Sequence, residues 1–319
     1  MKQCRFAFYS ALLVVLLAGA AIAENEEESG FFGNLTIGGG YAAGRPSQLE
    51  VTDDNKVLVN LNDRVETYLE AVPVLMAEFG YVFAGTGTAI SVGVEGAFDN
   101  SAVISISQPL GKPGFLSLGF EYGLVEVWKD PYLVGVERTE TDETTAGLTL
   151  DYADIFGTGA RLSISGSQIG IDDDTIGYRQ PELRRDGSRI TAGAGYTIVL
   201  AQGHAITPNI ELTSDTRDGE SESSTGYNFT LNHSLTLGKW IFDTTLSAGE
   251  TEYDAPHPIF NRTREEKMFA VTEWVTYEEL FGHKNFSIYG LVTYGIVDAN
   301  ISFFDSNVLI IGMGVGYSF

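Results

Sequence analysis

Histidines, serines and carboxylates are the residues here whose types could do chemistry. A hydrolytic site on a strand needs a nucleophile and its base on one face, hence two residues apart. None of His204, His233, His257 or His283 has a Ser two positions on, and the adjacent His233 and Ser234 point to opposite faces. The acidic runs Asp172-Asp173-Asp174 and Glu220-Ser221-Glu222 have no His beside them and lack the spacing of a calcium loop. They read as solvated or cation-binding loops. Gly38-Gly39-Gly40-Tyr41-Ala42-Ala43 matches a loose dinucleotide fingerprint, but no helix follows it. No catalytic residue, cofactor or metal site is therefore assigned. A membrane hydrolase is the least favoured of three readings, and the chain is expected not to be an enzyme.

A second set of carboxylates stands out through its position in alternating segments. In the last segment Leu309, Ile311, Met313, Val315, Tyr317 and Phe319 share one face, while Gly312, Gly314, Gly316 and Ser318 share the other. The same period of two recurs through residues 146–153, 190–200, 227–237 and 240–247. In that register Glu78, Glu95, Glu121, Asp151, Glu211 and Asp243 fall on the small, polar face, together with one base, Arg161. A transmembrane barrel turns its apolar face to lipid and its polar face to the lumen. Rings of acids on that inner face favour cations. Alternatively, these acids pair with Arg161 or with loop arginines and brace the wall.

The elements that must hold these residues follow from the links. Short links at Ala84–Gly87, Pro109–Gly114, Gly157–Thr158, Ala201–Gly203, Gly238–Lys239 and Gly282–Asn285 alternate with longer polar ones. The longer ones are 45–66, 98–101, 129–144, 172–187, 215–226, 252–267 and 302–307. Short periplasmic turns and longer external loops are the usual asymmetry of outer-membrane barrels. The pattern predicts an all-β, closed antiparallel barrel of about fourteen strands, within a range of 12–16, with both termini periplasmic. Pro73 and Pro208 fall inside strands and predict bulges. The segment Met268 to Phe281 has no clean face.

Residues 1–23 carry Lys2, Arg5, an apolar run and Ala21-Ile22-Ala23, the pattern of a secretory signal peptide. A short acidic segment, 24–30, would then precede a barrel over 31–319. Cys4 is the one cysteine and would leave with the leader, so no disulfide is expected. Loss of Lys2 and Arg5 takes the formal charge from −24 to −26, which disfavours nucleic acid as a partner. After the leader no run of ~20 apolar residues suggests a membrane helix.

Arg179, Arg184, Arg185 and Arg189 cluster around one long link, and Arg262 and Arg264 lie in another. Folded inward they would face the lumenal acids and form a constriction; at the rim they would bind lipopolysaccharide phosphates. The C-terminal strand ending in Phe319 is expected to engage the barrel-assembly machinery.

Trp128-Lys-Asp-Pro-Tyr-Leu-Val-Gly135, Arg138-Thr-Glu-Thr-Asp-Glu143, Arg185-Asp-Gly187 and Pro258-Ile-Phe-Asn-Arg-Thr-Arg264 resemble an uncharacterised, domain-of-unknown-function family of Gram-negative outer-membrane proteins. The resemblance spans nearly all of the chain after the leader and implies an outer-membrane barrel. It implies no substrate. The leading functional expectation is a porin-like pore for small cationic or neutral hydrophilic solutes. The runner-up is a non-conducting surface or adhesion barrel whose loops bind an external partner.

Overall fold

The structure is a computed structural model that describes residues 29–52, 55–62, 66–95 and 101–319, without the side chain of Glu95. The expected leader over residues 1–23, residues 24–28 and most of the 98–101 link lie outside the described residues.

The strands are β1 (Gly30–Arg45), β2 (Tyr68–Val82), β3 (Ala89–Glu95), β4 (Ser101–Pro109), β5 (Phe115–Trp128), β6 (Glu140–Ala153), β7 (Ala160–Ile171), β8 (Gly187–Tyr196), β9 (Ile198–Ala201), β10 (His204–Arg217), β11 (Ser224–Leu237), β12 (Trp240–His257), β13 (Arg262–Tyr277), β14 (Phe286–Ala299) and β15 (Ser306–Ser318). Neighbours in sequence pair antiparallel, except that β8 and β9 both pair with β10, and β1 pairs with β15 over Asn34–Arg45. β8 and β9 are two halves of one staircase step, separated at Thr197, so the closed ring has fourteen strands. Pairing of the first strand with the last closes the ring, as lipid demands of a sheet.

The faces follow the expected period. Ile37, Leu75, Phe120, Leu148, Ile164, Leu212, Phe229, Ile288 and Val315 all stand exposed on the outside, as an apolar band facing lipid requires. At the end with the short turns the aromatic girdle is continuous in places. Phe31 stacks on Phe79 at 5.6 Å, Phe286 meets Tyr317 at 4.9 Å, and Trp240 meets Tyr277 at 4.8 Å. The chain is an integral outer-membrane barrel.

The prolines behave differently from expectation. Pro73 stands opposite Gly39 in unbroken register. β2 pairs with β3 only from Ala77 onward, so the missing N–H falls where no third strand requires it. At Pro208 the register also runs on, from Asn209↔Gly195 to Ile206↔Ile198, with the Thr197 and Thr207 hydroxyls 3.1 Å apart between them. The irregularity falls nearer the turn, between His204 and Ala205, where β9 carries the extra residue Leu200. The link expected over 252–267 is mostly strand, because β12 and β13 continue to His257 and from Arg262. Their outer ends carry Glu250, Glu252, Glu265 and Glu266, so the pairing extends beyond the apolar band.

The β3–β4 hairpin is short. Among the described residues, β2 from Tyr68 to Met76 has a strand partner only in β1, and β5 beyond Gly123 only in β6. The β1–β2 loop fills the upper part of this gap, bridging Glu50 to Val127.

One feature of the seam explains its glycines. The Tyr289 hydroxyl lies over Gly38 and Gly314, where a Cβ on either would also strike the backbone of Met313 or Ile37. Only residues without a side chain allow β1 and β15 to approach under that ring.

Candidate functional site

The inner wall from β3 to β13 is hydroxyl-rich. Ser91 meets Ser105, Ser107 meets Ser117, Thr191 meets Thr213 and Thr272 meets Thr293, at 2.9–3.1 Å. Short β-branched or hydroxylated residues pair well across strands and leave the lumen wet. The five described acids of the expected set, Glu78, Glu121, Asp151, Glu211 and Asp243, share this inner phase with Arg161. The glutamates follow a rule: Glu78 stands opposite Gly93, Glu121 opposite Gly147 and Glu211 opposite Gly193. A cross-strand glycine leaves room for the longer carboxylate to lie along the wall. A Cβ on Gly193 would come within 3.5 Å of the Glu211 side chain.

The structure joins two of these residues directly. Arg161 donates from Nε to Asp151 Oδ1 at 2.7 Å, and both groups are largely buried. Asp243 lies between Ser234 and Trp274, and Trp274 stacks towards Tyr289 at 5.1 Å. From β14 through β2 the inner wall changes character. Ala42, Tyr68, Val72, Val308 and Ile310 form one buried apolar cluster there.

The arginines of the loops and strand ends pair with acids that are also of loops and strand ends, outside the expected lumenal set. Arg179 binds Asp130 at 3.1 Å, Arg185 binds Asp174 at 2.7 Å, Arg184 lies 3.8 Å from Asp218, and Arg189 binds Asp215 at 2.6 Å. Arg262 donates to the Asn300 carbonyl at 2.7 Å, and Arg264 pairs with Glu266 while stacking on Phe304. Of the acidic runs, Asp173 binds Lys129 at 2.6 Å, which holds its carboxyl below the usual range. Asp174 accepts from Arg185. Glu222 is buried, which pushes its carboxyl up, while Arg264, Arg185 and Arg217 pull it back down.

These ion pairs surround an apolar roof that sequence reasoning missed. Leu58, Tyr132, Ile176, Leu183, Ile301, Phe303 and Phe304 form a buried cluster, with Leu49, Leu61, Ile259 and Phe260 packed against it. They come from five external loops. His257 lies at 2.9 Å from the Tyr132 hydroxyl inside it. The β1–β2 loop is tied in by Arg138, whose Nη1 donates to the Gln48 and Pro131 carbonyls at 2.8 Å and whose guanidinium covers Trp128 at 4.4 Å. The available signal was apolar residues inside otherwise polar links, Ile301-Ser302-Phe303-Phe304 above all.

Among solved structures, the chain is similar to a Pseudomonas aeruginosa FadL homologue, at 9% identity, 94% of this chain, 92% of that one and a TM-score of 0.48. It is similar to an anion-selective porin from Comamonas acidovorans at 11% identity, covering 92% and 100%, with a TM-score of 0.42. The outer-membrane channel DcaP of Acinetobacter baumannii matches at 11% identity over 92% and 97%, with a TM-score of 0.43. No curated protein matches the chain. The profile of DUF2860, a protein family of unknown function, matches residues 30–318, and the chain belongs to that family.

Proposed function

We propose that this barrel is an outer-membrane channel for small hydrophilic solutes that favours neutral or cationic ones. The observation that carries this reading is the inner wall: hydroxyl-rich from β3 to β13, with Glu78, Glu121, Asp151, Glu211 and Asp243 against Arg161 alone in the expected set. A fourteen-strand ring is wider than the eight-strand barrels that side chains fill. The acids attract cations at the wall and repel anions. Arg161 offsets one of them. The roof of packed loops sets access from outside, so passage is gated by loop displacement. Planar-bilayer recordings under a salt gradient test the reading: a cation-directed reversal potential is expected, and anion selectivity would reject it.

The roof also favours a second reading, a non-conducting barrel whose external surface is its working part. The same recordings separate the two. Silence from the wild type and from a variant lacking 46–61 would favour the surface barrel.

A further inference from the structure

One row of outward-facing residues is polar. His233 on β11 stands opposite Thr244 on β12, which stands opposite Glu273 on β13. Thr244 donates its hydroxyl to Glu273 Oε2 at 2.6 Å, and His204 on β10 lies with its Nε2 at 3.0 Å from Nε2 of His233. The row is not at the membrane edge. On β12 and β13 the pairs Phe242–Val275 and Trp240–Tyr277 lie on one side of it, and Leu246–Val271 and Ala248–Phe269 on the other. On β11, Leu231 and Leu235 flank His233 on the same face.

A carboxylate and two imidazoles on the lipid face are unfavourable, since hydrocarbon offers no hydrogen bond. Ionisable groups inside the membrane ordinarily face a lumen or a protein partner. These face away from the lumen. We propose that the row is a contact surface for a second copy of this chain.

Symmetry selects that occupant. Two copies inserted the same way are related by a two-fold axis along the membrane normal, and such a contact is self-complementary. An axis passing by Thr244 brings β11 of each copy alongside β13 of the other. The imidazoles of one copy then meet the Glu273 carboxylate of the other, and the two Thr244 residues face each other. An acid at one end of the row and bases at the other are what this arrangement needs.

The chain's one cysteine is Cys4, in the expected leader, and with Cys4→Ser in the background single cysteines report cleanly. Thr244→Cys in proteoliposomes under mild oxidation is expected to give a disulfide-linked dimer of this chain. Ile104→Cys, exposed on β4, is the outward control and should stay monomeric. Adding Glu273→Leu to Thr244→Cys should cut cross-linking at least tenfold while heat-modifiable migration shows a folded barrel. The wild type should be dimeric by native mass spectrometry in mild detergent. Cross-linking no greater than the control, cross-linking unaffected by Glu273→Leu, a monomeric wild type, or a product containing a different protein would each overturn the proposal.

Discussion

Arg161 and Asp151 form a diagonal ion pair on the inner wall, since Asp151 stands opposite Ser163, two residues beyond Arg161. Here the expected lumenal base touches an expected lumenal acid. Arg161→Gln removes the wall's named base and is expected to shift the reversal potential further towards cations. Leaving Asp151 without its charged donor should cost about 1–3 kcal/mol. Asp151→Asn should shift selectivity the other way. Equal reversal potentials for both variants would show that this pair does not face the permeation path.

Gly314 is held small by Tyr289 and by the Ile37 carbonyl. Gly314→Ala should destabilise the β1–β15 seam by about 1–3 kcal/mol, the usual cost of overpacking. Urea midpoints from heat-modifiable gel migration measure this. Gly290→Ala, whose Cβ would meet open space, is the matched control and should be nearly neutral.

Glu50 gives the β1–β2 loop a pH dependence. Burial raises its carboxyl from 4.5 to about 7, and one of its oxygens is sealed without a hydrogen-bond partner. The docked loop therefore prefers the protonated acid. Docking is strongest below pH 4.5 and weakens as pH rises towards 7, by roughly 2–3 kcal/mol in all. Proteolysis of the loop should be faster at pH 8 than at pH 5. Glu50→Gln should remove that difference, and a difference that survives would assign it elsewhere.

Phe319 exchanges backbone hydrogen bonds with Gly33, at 3.0 and 3.1 Å, and its ring lies against Gly33 and near Phe79. Deleting it removes the last rung that joins the chain's two ends. The expected outcome is reduced folded barrel in the outer membrane with normal secretion. Unchanged outer-membrane levels would count against a role for Phe319 in assembly.

The strand count and the inward phase of Glu78, Glu121 and Asp243 were legible because a period of two needs only local sequence. The glycines opposite the glutamates were not, because cross-strand register cannot be read from one strand. The roof was illegible for a related reason. Leu58, Tyr132, Ile176 and Phe303 come together across long stretches of chain without any shared period. The arginines of the 172–187 link were legible as a cluster, but their partners were not. Asp130, Asp215 and Asp218 come from other links or strand ends.

The short β3–β4 hairpin has a mechanical meaning. Everywhere else, parting two neighbouring strands means unzipping a full ladder of backbone hydrogen bonds. Between the upper halves of β2 and β5 the barrier is a strap of loop, latched by the Arg138 bonds and the Glu50–Val127 bridge. Releasing that strap breaks a few contacts and leaves the ring whole. The barrel is thus stiff around most of its circumference and compliant in one sector, and that sector adjoins the apolar stretch of the inner wall formed by Tyr68 and Val72.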